Sequence, residues 1–245
     1  MKLKPTQRVK GTALVTGGAR RIGGAICLHL ATIGYHIELH YDHSKKEAQK
    51  LAQTIEQRGG TCQIFNCDLS DEKATHQLIK GIYKRCPDLN MLINSASIFK
   101  PSDLSHDPLR AFNEHMAVNL KAPYILTCEF AKHVKTGQII NILDTNIVKN
   151  KTSHVAYLLS KKALNEFTKL SAVELAHRIR VNGIAPGFIL PPEGKNKINT
   201  ARKIRNIPLQ TQGNVEQITE CIEFLIKNPY LTGQIIFNDG GEHLL

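Results

Sequence analysis

The chain has 245 residues, of which 42% are hydrophobic and 22% charged, enough for one large core and too apolar for a disordered or low-complexity chain. Lys and Arg outnumber Asp and Glu by 32 to 21, for a formal charge of +11. The basic residues are scattered, Trp is absent and the other aromatics are not interleaved with them, so neither a nucleic-acid groove nor a membrane-binding face is expected.

In chain order, the opening MKLKPTQRVK carries charge but no apolar leader core, and no later run reaches bilayer length, which points to a cytoplasmic protein. Strand-like runs follow at TALVTG (12–17), HIELHY (36–41), TCQIFNC (61–67), MLINS (91–95), QIINIL (138–143), RVNGIA (180–185) and QIIFND (234–239). Between them RIGGAICLHLATIG, SKKEAQKLAQTIEQRG, DEKATHQLIKGIYKR, a span near 107–134, and HVAYLLSKKALNEFTKLSAVELAHR have helical period. Alternation of this kind predicts a single α/β, doubly wound Rossmann domain over residues 1–245, with a parallel sheet of about seven strands and helices on both faces. The proline-rich stretch from about 186 to 200 breaks the rhythm after a strand end and reads as a mobile flap over a site. Cys27, Cys62, Cys67, Cys86, Cys128 and Cys221 form no C-x-x-C pair and no metal-spaced cluster, so neither a disulfide nor a bound metal is expected.

The stretch TALVTGGARRIGGAICLHL is a strand, a glycine turn and a helix, the arrangement that brings backbone N–H groups and a helix N-terminus against a pyrophosphate. With T-G-x-x-x-G-x-G spacing at the turn, N-S-A-S at 94–97, Asn119, the Tyr157-x-x-x-Lys161 pair and Pro186-Gly187, the chain resembles the short-chain dehydrogenase/reductase family along nearly its whole length. Four departures make it most similar to the pteridine reductases, including their dihydromonapterin/dihydrofolate reductase branch. Arg21 replaces the middle glycine, Ser97 closes N-S-A-S, Phe99 stands two residues on, and Asp144 occupies the place of the usual serine.

The resemblance implies NADPH as cofactor, a pterin or folate as substrate, and a homotetramer. It assigns catalysis to Asp144, Tyr157, Lys161 and Asn119, with Asn119 holding a water that links Lys161 to solvent. Cofactor contacts fall to Gly17, Arg20, Arg21, Ile22, His40, Tyr41, His43, Ser44, Asp68, Leu69, Asn94, Ala96, Ser97, Tyr157, Lys161, Pro186 and Gly187. Within HYDHS, His40, His43 and Ser44, together with Arg20, favour the 2′-phosphate of NADPH, while Asp42 would repel it if turned inward. Substrate contacts fall to Arg21, Ser97, Phe99, Asp144, Tyr157 and Phe188, with Phe99 as one wall of a slot for a flat ring.

Tyr157 and Lys161 lie one helical turn apart, and a lysine cation beside the phenol is expected to lower its pKa. A ketone needs only a neutral hydroxyl to hold its oxygen. A pterin C=N instead takes its proton on a ring nitrogen, and a carboxylate can hold the tyrosine and accept from the ring's amino groups. Asp144 therefore favours an imine. Two rivals remain at this level, a carbonyl reductase of 3-oxoacyl thioesters or small ketones and a non-catalytic dinucleotide sensor. Phe99 with Arg21 speaks against the first, and the intact Tyr157/Lys161 pair against the second.

Overall fold

The structure is a computed structural model that describes residues 10–105, 108–191 and 197–245. Seven strands, β1 (Thr12–Val15), β2 (His36–Tyr41), β3 (Cys62–Asn66), β4 (Leu89–Asn94), β5 (Gly137–Ile142), β6 (Ile179–Pro186) and β7 (Ile235–Asn238), make one sheet in the order 3-2-1-4-5-6-7. Every pairing is parallel. The central strands are apolar on both faces because helices cover both. One layer holds α1 (Arg21–Thr32), α2 (Lys45–Gln57) and α8 (Val215–Lys227), seated through Ile26, Leu30, Ile55, Ile218 and Ile222. The other holds α3 (Glu72–Arg85), α5 (Ala122–His133) and α6 (Val155–Leu175), through Ile79, Ile82, Leu126, Phe130 and Ala172. The strand order reverses between β1 and β4, where an open α/β sheet leaves a crevice at the strands' C-terminal ends.

The expected helical span near 107–134 is three pieces: α4 (Pro108–Met116), a π turn (Ala117–Lys121) and α5. Pro123 has no N–H and its ring clashes with the carbonyl four residues back, which lies on Asn119. The ladder shifts there, and the Ala122 N–H bonds the Ala117 carbonyl. Asn119 is thereby turned inward and fully buried.

Helix α8 is an element that the sequence reading passes over. It opens on a reciprocal capping box between Asn214 and Gln217. The expected flap is only partly irregular: β6 runs through Pro186 and α7 occupies Lys197–Arg205, while 192–196 lie outside the described residues. No helix among the described residues is long and apolar enough to cross a membrane. All six cysteines are free.

Candidate active site

The glycine turn is fixed from two sides. Thr16 accepts the Ser95 and Ala96 N–H groups at 3.0 Å, tying β1 to the loop after β4. His40 accepts the Gly17 N–H on Nδ1 (3.0 Å) and donates from Nε2 to the Cys67 carbonyl (2.8 Å). Burial pulls this imidazole below its ordinary pKa, with the Cys67 bond opposing, so it is a neutral strut. Gly17 has φ +63, and a Cβ on Gly23 would come within 2.2 Å of the Gly17 carbonyl oxygen. The turn therefore admits no side chain at either point. Arg21 is left-handed as well, at φ 53, in the place that resemblance gives to glycine. Its guanidinium donates to the Leu190 and Pro191 carbonyls at 3.3–3.4 Å, bridging the turn to the segment beyond β6.

Helix α1 starts with no side-chain cap and no acidic residue in its first turn. Its free N–H groups and positive dipole end meet a cleft of about 410 Å³ lined by Gly17, Arg20, Tyr41, Ser44, Asp68 and Ala96 among others. The Asp68 carboxyl is held below its usual range by hydrogen bonds from the Ser70 hydroxyl and N–H. Asp42 shares the rim with His43, the carboxylate 3.3 Å from the imidazole.

At the end of β5 the chain turns through Asp144 into a short 3-10 turn, Thr145–Val148. One Asp144 oxygen accepts the Asn146 N–H and side-chain amide, each at 2.7 Å. The other accepts the Tyr157 hydroxyl at 2.8 Å. Burial first, then the Asp144 charge and hydrogen bond, push the Tyr157 phenol well above its ordinary pKa. This corrects the expectation that Lys161 lowers it: the Lys161 ammonium donates to the Ile142 carbonyl at 2.7 Å. Burial pulls that ammonium down to about 8, the Asp144 charge opposing. Behind the turn, Asp239 binds the Thr145 hydroxyl and the Gly241 and His243 N–H groups.

A second pocket, of about 460 Å³, opens at Tyr157 and includes Phe99, His154, Leu158 and Phe188. Phe99 lies flat on His154, with centroids 4.2 Å apart and planes 5° off parallel, and meets Tyr157 in a T-shaped contact. His154 is left-handed, φ 71. Ser102 holds this corner: its carbonyl accepts the His154 and Val155 N–H groups and its hydroxyl that of Ala156, capping α6.

The sequence pattern of the short chain dehydrogenase family matches residues 11–203. The chain belongs to that family. It is 35% identical over 240 residues to carbonyl reductase family member 4 of Danio rerio, across 95% of this chain and 98% of that protein. With a 3-oxoacyl-acyl-carrier-protein reductase of Synechocystis it shares 31% over 236 residues, 94% and 95% of the two chains. In structure it is similar to the FolM alternative dihydrofolate reductase 1 of Brucella canis, solved with NADP. There the TM-score is 0.92 and the identity 34%, over 97% of this chain and 95% of that one.

Within this short-chain dehydrogenase, most residues expected at the cofactor do line the first cleft: Gly17, Arg20, Arg21, Ile22, His40, Tyr41, His43, Ser44, Asp68, Leu69, Ala96 and Ser97. His40 touches it with both ring nitrogens already used, which leaves none for a phosphate. Asn94 is absent from that lining; it is buried and donates to Asn141 at 2.8 Å, stitching β4 to β5. Pro186 and Gly187 also stand outside the lining, where a Cβ on Gly187 would come within 2.6 Å of Asp239. Asn119 accepts the Ile98 N–H on its side-chain oxygen and donates to the Ile98 carbonyl and the Ser160 hydroxyl, which leaves its side chain no donor for the expected water. Phe99, Tyr157 and Phe188 line the second pocket; Asp144 stands behind Tyr157, and Arg21 and Ser97 line the first cleft instead. Thr16, Ser102 and His154 add to the expected set: Thr16 belongs to the glycine-turn motif, while Ser102 and His154 form no sequence pattern. At the far end of the sheet His36, Glu38 and Cys86 bring three metal-type donors together, but Arg85 already neutralises Glu38 at 3.4 Å.

Proposed function

We propose that this enzyme is an NADPH-dependent pteridine reductase that converts a 7,8-dihydropterin or dihydrofolate to its tetrahydro form, with hydride added at C6 and a proton at N5. The observation that carries the reading is the Tyr157 hydroxyl donated to the Asp144 carboxylate at 2.8 Å. A ketone site needs no anion there, whereas a pterin offers amino and ring N–H donors for one. Phe99, 56% exposed on its His154 support, gives a flat ring a wall.

The cofactor supplies the hydride when bound. The residues present fit it: the uncapped α1 N-terminus with Gly17, Arg21 and Ile22 suits a pyrophosphate, and Asp68 with Leu69 suits the adenine. Arg20, His43 and Ser44 suit a 2′-phosphate, with Asp42 turned to His43. NADP in the Brucella canis relative agrees with this choice. Tyr157 orients and protonates the substrate, Asp144 holds the Tyr157 hydroxyl, and Lys161, one helical turn on, restores the proton. Asn119 fixes the Ile98 loop against α6 through Ser160.

Apolar side chains along α5 and α6, Tyr124, Leu170 and Val173, stand exposed; a homotetramer would cover such a face. Burial holds the thiols of Cys27, Cys62, Cys67 and Cys86 above their ordinary pKa, which suits a reducing cytoplasm.

A second reading, reduction of a 3-oxoacyl thioester or other ketone, follows from the names of the Danio rerio and Synechocystis relatives. NADPH oxidation by the purified protein decides between them. Faster turnover of a 7,8-dihydropterin supports the first reading, and preference for the thioester refutes it.

A further inference from the structure

The pocket beside Tyr157 divides by chemistry. Phe99, Leu158 and Phe188 make its apolar side, while Lys151, Arg202 and Lys203 stand on its rim, and among the described residues no carboxylate lines it. Glu242 lies 3.7 Å from the neighbouring Lys149 and 4.0 Å from Lys151. Asp144 is engaged with Tyr157 and Asn146. Helix α7, which brings Arg202 and Lys203, contains no acidic residue.

Lys203 is set in place by the Phe188 ring, its ammonium 4.5 Å from the centroid. Lys151 comes from the other side, out of the loop between the Asp144 turn and α6. Its ammonium is pulled below the ordinary value by burial first, with Lys149 and Lys203 adding to the effect and Glu242 and Asp144 opposing it. Cations converging on one small pocket from separate elements raise each other's energy, and an anion entering among them removes that repulsion.

We propose that Lys151, Arg202 and Lys203 form an anion subsite for a carboxylate- or phosphate-bearing tail of the substrate, whose ring lies toward Phe99 and Tyr157. The ring's identity rests on the pterin reading; the subsite itself rests on the rim. It selects tailed pterins over those with neutral side chains. At about 460 Å³ the pocket is of small-molecule size, and the cations share it with the reacting tyrosine, so the anion belongs to the substrate molecule.

The test measures binding rather than turnover, with NADP+ saturating. 4-Aminobenzoyl-glutamate, its diethyl ester and glycerol phosphate are titrated against the wild-type chain, Lys151→Ala and the double variant Arg202→Ala/Lys203→Ala. One of the two anions is expected to bind about fivefold or more tightly than the ester, and to lose about that factor in each variant and with rising salt. Which anion binds better separates a carboxylate tail from a phosphate tail. Equal binding of acid and ester, no binding of either anion, or variants that bind like the wild type overturn the subsite. Capture of an acidic acyl carrier protein through the same cations, with no small anion bound, overturns it in favour of protein docking. If the small anions bind as expected while no dihydropterin is reduced, the pterin reading falls and the subsite stands.

Discussion

Replacing Lys161 by Met removes a charge that the fold holds at a cost, and the structure gives the size and pH dependence of the effect. The ammonium is buried, donates to the Ile142 carbonyl at 2.7 Å and has its pKa pulled from 10.5 to about 8. Between those two values the unfolded chain binds more protons than the folded one, so wild-type stability rises with pH across the window. The cost of the buried cation is about 3 kcal/mol at pH 7 and about 1.5 kcal/mol at pH 9.5. Methionine has nearly the same shape and no charge. It leaves the Ile142 carbonyl unpaired, at about 1–3 kcal/mol, but that loss does not vary with pH. Between pH 7 and pH 9.5 the wild type should therefore gain about 2 kcal/mol on Lys161→Met, or about 4–8 °C in relative Tm for a chain of this size. Thermal melts of both proteins at the two pH values, without cofactor, measure it. Melting temperatures that move in parallel would refute a depressed lysine, and the variant should lose turnover at every pH.

Three further outcomes follow from the site. Asp144→Ser should cost dihydropterin turnover about a hundredfold or more, and adding Tyr157→Phe should cost little beyond the worse single change; intact pterin reduction, or strong new ketone reduction, would make the acid a relic. Phe99→Ala should weaken pterin binding several-fold, for a stacking contact worth about 1 kcal/mol, and leave NADPH binding unchanged; equal losses would mean that the corner held by His154 and Ser102 has collapsed. The wild type should bind NADPH more tightly than NADH, and His43→Ala with Ser44→Ala should narrow the gap, whereas an initial preference for NADH would make Asp42 the selecting residue.

The sheet was legible because strands buried on both faces read as unbroken apolar runs, and HIELHY matches β2 residue for residue. Helix α8 is equally periodic, with Asn214 and Gln217 marking its start. The π turn was harder: Pro123 warned of a break, but whether a proline kinks a helix or widens one turn depends on what packs around it. Site residues that lie together in sequence, such as the glycine turn, also lie together on one cleft. Those defined by a partner in space were not legible. The residue type of His40 suited a phosphate, and only the fold shows its ring spent on Gly17 and Cys67. The spacing of Tyr157 and Lys161 put them on one helix face, yet could not say that the phenol would turn to Asp144 and the ammonium to Ile142. Lys151 and Arg202, some fifty residues apart in sequence, carry no joint pattern at all.

Those two hydrogen bonds decide how protons move on the proposed reading. Hydride addition at C6 leaves negative charge on N5, a base strong enough to take a proton even from a phenol whose pKa burial and Asp144 have raised. The tyrosinate left behind would sit 2.8 Å from a carboxylate, and two anions at that distance in a buried site repel strongly. It must be reprotonated before the next turnover. Lys161, with its pKa near 8, gives up a proton far more readily than an ordinary lysine. On this reading Asp144 makes Tyr157 a donor that does not stay ionised, and Lys161, with its pKa lowered by burial, is the group that refills it. Because only the protonated lysine can refill the site, kcat for dihydropterin reduction should fall as pH rises through about 8. In Asp144→Asn the carboxylate that opposes the lowering of the Lys161 pKa is gone, so the fall in the residual rate should move to lower pH. A wild-type profile flat from pH 7 to pH 10 would remove Lys161 from the proton path.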